Sequence, residues 1–243
     1  MIKPVLAVFA LALVVTGTPS AHAEELAKEQ IEAIVRAYIL ENPQVLVESL
    51  ETFRITQEKA TLRTQEVRLG EFNASVASDT SPSIGNADGD ITIVEFFDYN
   101  CGYCRKALTE ITRLVAEDDQ VRIIFKEMPI LGPPSLEAAK WALAARVQGA
   151  DKYFSYHTAL MNHSGSKDDA TLERLAADSG LNVDQLKADR ADASIMGDIS
   201  DVLQVTSDIG VRGTPAFIIN GELFRGYIPY AQMKEVIRTI RAQ

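Results

Sequence analysis

The sequence predicts an α/β fold in which an all-helical insertion divides a small sheet and a helical extension precedes it. Three observations carry this. Ile91-Thr92-Ile93-Val94-Glu95-Phe96-Phe97 reads as a buried strand because both of its faces are largely apolar. A helix with Leu108, Ile111 and Val115 on one face follows, then a second strand pattern over Val121 to Phe125, so the two strands should run parallel. Residues 132–206 carry only helical periodicity, and strand signals then return in a hairpin pattern, Ala216-Phe217-Ile218-Ile219, Asn220-Gly221 and Glu222-Leu223-Phe224.

The elements before and between these have local reasons. Met1-Ile2-Lys3 is a short cationic start, Val5 to Val15 is an unbroken apolar run, and Ala21-His22-Ala23 is a small-x-small cleavage site. This is the pattern of a secretory signal peptide over residues 1–23, with cleavage after Ala23. The run is too short for a membrane span, which takes about 20 residues. The expected location is the periplasm or an equivalent oxidising space.

Residues 24–72 read as a helical extension. Leu26, Ile31, Ile34, Val35 and Tyr38 trace a first amphipathic helix, ending near Asn42-Pro43 because proline disfavours helix in the residue before it. Leu46, Leu50, Phe53, Gln57, Ala60, Thr64 and Val67 then recur at spacings of four and three, a heptad seam with two polar interruptions that points to self-association. Residues 73–89, rich in small and polar types, read as a linker. The sheet-bearing domain is expected over 90–131 and 207–243. Within the insertion at 132–206, Leu136, Ala139, Leu143 and Val147 share a face behind Pro133-Pro134. Asn182 with Gln185 resembles a capping box, and Tyr230, Met233, Ile237 and Ile240 form a closing amphipathic helix.

The formal charge of −10 with no basic stretch argues against a nucleic-acid partner. The chain has only two cysteines, and they enclose two residues. A loop that short constrains the unfolded chain little, so a stabilising bridge is a poor use of them. Exchange chemistry is the better one. At the start of a helix, Cys101 would meet outward-pointing N–H groups and the positive end of the dipole, which favours its thiolate. Cys104, one turn on, can attack Cys101 when that sulfur is bound to a substrate, so Cys101 is the expected nucleophile and Cys104 the resolving thiol. No metal site is expected: structural zinc takes four Cys or His ligands, and His157 and His163 lie six residues apart in the insertion, more fitted to surface or packing positions. Capture of copper(I) by the two thiols is a secondary option.

Glu95 interrupts an apolar strand. Its alternation partners are Ile93 and Phe97, which aims it into the layer beneath the cysteines, where it can accept the proton Cys104 must lose. Gly213-Thr214-Pro215-Ala216 opens the third strand, a position where proline is tolerated.

Taken together, Glu95-Phe96-Phe97, Cys101-Gly102-Tyr103-Cys104 and Gly213-Thr214-Pro215, with a helical insertion between the halves, make residues 80–243 resemble the thioredoxin superfamily in its DsbA-like branch. The resemblance implies a thioredoxin-like fold with an inserted all-helical domain and a redox-active Cys101–Cys104 pair that needs no other cofactor. It also implies that Pro215 is a cis-proline facing the cysteines, in a loop that pairs with a substrate's backbone. Thr214, Pro215, Gly102 and Tyr103 then bound the substrate site, and Glu95 matches the family's buried acid. The stretch Ile34 to Pro43 is similar to the extension of the ScsC (suppressor of copper sensitivity) family. Some members of that family trimerise through it and act as disulfide isomerases, kept reduced by a membrane partner, ScsB, of the DsbD type. Gly102-Tyr103 and Thr214 match the isomerase DsbC rather than the oxidase DsbA. The expectation is a periplasmic disulfide isomerase or reductase, trimeric by preference, acting on misoxidised secreted proteins. Its alternatives are a DsbA-like oxidase and a copper(I) chaperone.

Overall fold

Strands β1 (Ser83–Gly85), β2 (Ile91–Phe97), β3 (Val121–Glu127), β4 (Ala216–Ile219) and β5 (Glu222–Arg225) form one sheet in the order β1-β3-β2-β4-β5. This computed structural model describes residues 27–76 and 79–242. The signal segment expected over 1–23, and Leu26, lie outside the described residues. β2 and β3 pair in parallel, as their strand–helix–strand connection requires, and every other pairing is antiparallel. The Asn220-Gly221 turn adopts positive φ at both residues (44° and 93°), and this closes the β4–β5 hairpin.

The helices are α1 (Lys28–Glu41), α2 (Gln44–Val76), α3 (Gly102–Glu117), α4 (Pro133–Ala145), α5 (Ala150–Asn162), α6 (Asp169–Asp178), α7 (Val183–Asp189), α8 (Ala193–Asp208) and α9 (Tyr230–Arg241). The chain divides into two units, residues 1–56 and 57–243. In the first, α1 ends where expected: the Asn42 amide and its side chain both donate to the Tyr38 carbonyl. Neither α1 nor α2 buries a residue, and Ile34, Leu40, Val47, Leu50 and Phe53 all stand exposed.

In the second unit the sheet is covered on both sides. Ile91, Ile93, Phe97, Ile123, Phe125, Phe217 and Ile219 share one layer with α3, α9 and the insertion. Val94, Phe96, Ile124 and Ile218 face the other way, under Leu69, Phe72 and Val76 of α2 and Val202 and Val205 of α8. The last turns of α2 thus continue past residue 72 into the stretch whose composition suggested a linker, and β1 lies in that stretch too. The reason is apolar: Phe72, its ring 5.8 Å from that of Phe96, and Val76 find cover on the sheet.

The insertion is helical from α4 to α8, with Trp141, Tyr156, Leu160 and Leu172 wholly buried. Two local expectations change. Val147 leaves the α4 face, because α4 stops at Ala145 and a 3-10 turn (Arg146–Gln148) carries Val147 into solvent. Only half of the capping box forms: Asn182 Oδ1 accepts from the Gln185 amide at 3.0 Å, but Gln185 turns its side chain to Asp189, and Gln148 takes the Asn182 N–H instead.

Phe72→Ala should lower the stability of the second unit by about 1–3 kcal/mol, less than a fully buried ring because Phe72 is half-buried. The measurement is the urea midpoint at constant m; an unmoved midpoint would show that the end of α2 does not hold the sheet.

Candidate active site

Cys101 is the N-cap of α3, and its sulfur accepts the Cys104 amide at 3.3 Å. The sheet brings the third strand's entry against it. β4 pairs with β2, so the loop before Ala216 arrives beside the start of α3, and the Cys101 sulfur lies 3.3 Å from the Thr214 carbonyl. The Thr214–Pro215 peptide is cis, as the resemblance implied.

The two thiols are chemically unlike. Cys101 is lowered to about 6, foremost by the hydrogen bond from the Cys104 thiol. Partial burial opposes this, and the Thr214 side chain and the backbone N–H groups of Cys104 and Tyr103 support it. A Cys101 thiol donating to the Thr214 carbonyl also opposes ionisation, and the donors outweigh it. Cys104 is wholly buried and held far above the ordinary thiol range, first by that burial, then by its bond to Cys101 and the Glu95 charge. Near neutral pH the pair therefore offers one thiolate, 9% exposed, and one thiol wholly buried beneath it.

Glu95 is where the alternation placed it. It is 1% exposed, pairs in register with Phe125 of β3 and Phe217 of β4, and its Oε1 has no hydrogen-bond partner. Burial and then the Cys101 charge push its carboxyl up to about 8. Gly102 and Tyr103 form the open rim. A Cβ at Gly102 would meet nothing within 4 Å, and Tyr103 is 59% exposed with its ring 6.1 Å from that of Tyr227.

The sequence reading missed a set of buried polar groups around the pair. Asp98, 1% exposed, accepts from the amides of Asn100, Ile130 and Leu131 and from the Ser135 hydroxyl, at 2.7 to 3.0 Å. An acid directly after the apolar run Ile91–Phe97 and three residues before Cys101 was the available signal. His157 is fully buried among Phe97, Phe125 and Phe154, its Nδ1 3.0 Å from the Tyr99 hydroxyl. Burial lowers it to about 3, so it is neutral. Glu127, also buried, accepts from the Tyr153 hydroxyl at 2.7 Å and is pushed up to about 7 by burial. His163 caps the end of α5, half-exposed, with its ring against the Ser166 carbonyl. Among the described residues no three His, Cys, Asp or Glu side chains gather as metal ligands.

Comparison with known proteins agrees with this geometry. The thioredoxin family profile matches residues 77–239, and that of the copper resistance protein ScsC N-terminal domain matches residues 28–60. A thioredoxin-like oxidoreductase from Silicibacter pomeroyi shares 39% identity at a TM-score of 0.66, over 70% of this chain and 97% of that one. The thiol-disulfide exchange protein alpha-DsbA2 from Wolbachia pipientis shares 28% at 0.68, over 74% and 98%. A linker-deletion mutant of Proteus mirabilis ScsC shares 23% at 0.67, a likeness of fold that covers 89% of this chain and 97% of that one. Among curated relatives, Na(+)/H(+) antiporter NhaA 3 of Salinispora tropica is 28% identical over 186 residues, or 73% of this chain. The chain spans 28% of that relative's length. Among the described residues no helix is long and apolar enough to cross a membrane.

Glu95 sets a pH dependence whose sign follows from its shift. The folded state holds this proton more tightly than the unfolded chain, so the associated stability is full below about 4.5 and is lost as pH rises through about 8. His157 acts at the other end, losing stability as pH falls from 6.5 towards about 3. From pH 5 to 8 Glu95 and Glu127 lose stability, while Cys101 and His157, whose folded values lie below their unfolded ones, gain it. Across that range the change in stability read from urea midpoints should be more favourable in Glu95→Gln than in the wild type by on the order of 3 kcal/mol. Parallel changes in the two proteins would remove Glu95 from the account.

Proposed function

The chain belongs to the thioredoxin family, and from that premise we propose that it is an exported disulfide isomerase or reductase acting on misoxidised secreted proteins. The observation that carries the reading is the asymmetry of the two thiols, an ionised Cys101 at the rim and a protonated Cys104 below it. The Cys101 thiolate attacks one sulfur of a substrate disulfide. A Cys101–substrate bond forms, the substrate's own bond breaks, and the electron pair leaves on the other substrate sulfur as thiolate. Cys101 has then lost its charge, so the repulsion that helped to raise Glu95 is relieved and Glu95 gives up its own proton more readily, standing as the carboxylate that can accept one. If another substrate thiolate attacks the mixed disulfide, the substrate is isomerised and Cys101 is released unchanged. If Cys104 attacks, giving its proton to Glu95, the substrate leaves reduced and the Cys101–Cys104 disulfide remains.

A membrane reductase of the ScsB or DsbD type then restores the dithiol, so no cofactor beyond the cysteine pair takes part. Substrate backbone pairs along the Thr214-Pro215 loop. The exposed apolar rim of Tyr103, Ile130 and Leu131 suits polypeptides that have not yet buried their own apolar residues. The signal pattern at residues 1–23 supports a periplasmic location. Residues 27–56 support self-association, to a trimer by preference: their large apolar side chains have no cover of their own. Several sites around one substrate would then raise their effective concentration without new contacts.

Cys101→Ala should lose all exchange activity, whereas Cys104→Ala should still attack and should accumulate mixed disulfides visible on non-reducing gels. The deciding assay refolds a scrambled-disulfide protein beside oxidation of a reduced one. Recovery of the scrambled substrate supports the isomerase. Fast oxidation with no repair would make the protein a DsbA-like oxidase, and neither activity beside tight copper(I) binding would make it a metal carrier. Light scattering should give a multiple of the monomer mass for the mature chain and a monomer without residues 24–56, a deletion that keeps Leu69 and Phe72 on the sheet; a monomer in both would end the oligomer reading.

A further inference from the structure

Two helix ends of opposite electrical character meet beside Cys101. At the start of α3, backbone N–H groups converge on its sulfur, while α5 ends in carbonyls that no bond within the helix satisfies. Two cations stand between them. Arg105 lies one turn into α3, where its amide donates to the Cys101 carbonyl at 3.2 Å. Its guanidinium donates to the Met161 carbonyl at 2.6 Å and to the His163 carbonyl at 3.2 Å. Lys167, from the loop after α5, donates to the same His163 carbonyl at 3.0 Å and to Oδ1 of Asn100, the residue before Cys101, at 3.2 Å.

The Lys167 contacts are unusual for a buried ammonium. The residue is 4% exposed, yet its ammonium and the Arg105 guanidinium donate only to uncharged oxygens among the described residues. Burying an ammonium without a hydrogen-bonded counter-ion is costly, and neutral amide side chains could satisfy the same carbonyls. The charge itself therefore wants a reason. Burial, then the Arg105 charge, hold Lys167 below the usual ammonium range, and Asp98 only partly offsets them. The other ionisable groups around Cys101 give no net help. Glu95 from β2, Asp98 from the loop after it and Cys104 from α3 are acids, and Lys106 lies outward over the Tyr103 ring, 5.1 Å from its centre.

We propose that Arg105 and Lys167 are positioning residues of the exchange reaction: they cancel the negative end of α5 where it abuts α3 and so keep the field at the Cys101 sulfur positive. This rests on Cys101 as the attacking group and adds to it the residues that set its acidity from outside the motif.

Arg105→Gln and Lys167→Gln keep an amide donor for the carbonyls and remove only the charge. In the mature protein, the ultraviolet absorbance of the Cys101 thiolate is followed against pH, and alkylation by iodoacetamide is timed well below and well above the midpoint. Each variant should raise the midpoint so that the thiolate fraction at low pH falls about 3- to 10-fold, with the low-pH alkylation rate falling by the same factor. The rate at high pH, where the thiol is ionised in every variant, should stay within about twofold, which separates acidity from access. Lys167→Arg should restore the wild-type midpoint. Unmoved midpoints in both Gln variants, with circular dichroism showing the fold intact, would overturn the proposal. So would Lys167→Arg shifting as far as Lys167→Gln. If Lys167→Gln does not fold, the more exposed Arg105→Gln decides alone. The titration uses no substrate disulfide, so its outcome is independent of whether the enzyme isomerises, reduces or oxidises.

Discussion

The enclosure of β2 is the constraint on which the rest of the site depends. As the middle strand it is hydrogen-bonded to β3 on one edge and β4 on the other, and apolar layers cover both of its faces. A carboxyl group on such a strand has neither water nor a free backbone N–H to stabilise its charge, which is why Glu95 keeps a proton at a pH where a surface glutamate has lost it. The same layer swallows Cys104 from the inward face of α3, whereas Cys101, one turn earlier at the cap, stays at its margin. Two covalently identical thiols three residues apart thereby acquire opposite acidities. Neither the helix end nor the strand alone would separate them so far. The Cys104 thiol and, after it, the donors at the helix end draw the first thiol down, and the sheet forces the second one up.

The helical insertion is more than a cover for this arrangement. Its polar contacts converge on the loop that carries the cysteines. Asp98 draws the amides of Ile130 and Leu131 and the Ser135 hydroxyl to the end of β2, Asn100 donates to the same hydroxyl at 2.9 Å, and Tyr99 bonds His157 of α5. A buried carboxylate with four donors tolerates little displacement, since each lost partner leaves a desolvated acceptor. The geometry of the Cys101 sulfur is therefore tied to the insertion through groups remote in sequence. The exposed apolar rim at Ile130 and Leu131 is held by its backbone, leaving the side chains free to meet a substrate.

How far this was legible in the sequence follows from the range of each interaction. Strands β2 to β5, the parallel unit, the Asn220-Gly221 turn and the helix from Gly102 rest on local patterns, and the structure reproduces them; β1, inside the stretch read as linker, was not among them. Glu95 was legible because alternation along one strand fixes which face a residue takes. Asp98, His157, Glu127 and Lys167 were not, because their roles are set by partners that the sheet and the insertion bring in from tens of residues away. His157 shows the limit well. By type and spacing it suits surface or packing equally, and only its enclosure by Phe97, Phe125 and Phe154 decides for packing, as a neutral ring. Residues 73–76 read as linker from composition, but two of them point apolar or hydrogen-bonding groups at the sheet domain: Val76 packs on it, and Asn73 donates to the Gly221 carbonyl at 3.1 Å.

The proposed assembly must also answer to electrostatics, because copies of a chain with a formal charge of −10 repel one another. That repulsion is spread over the surface and screened within about 8 Å at physiological salt, whereas burial of apolar side chains acts at contact and is hardly weakened by salt. Residues 27–56 concentrate the second effect: Ile31, Ile34, Val35, Tyr38, Leu46, Leu50 and Phe53 all stand exposed within two helices. Each such side chain contributes on the order of 1.5–3 kcal/mol when fully covered, so a seam of a few exceeds what screened charges oppose. The polar seam positions Gln57 and Thr64 come after this segment, where the second unit begins. Association would thus be strongest in the first unit and weakest where the catalytic unit starts. In the proposed assembly, that division would let copies stay joined while each carried its own Cys101 to a different sulfur of the same substrate.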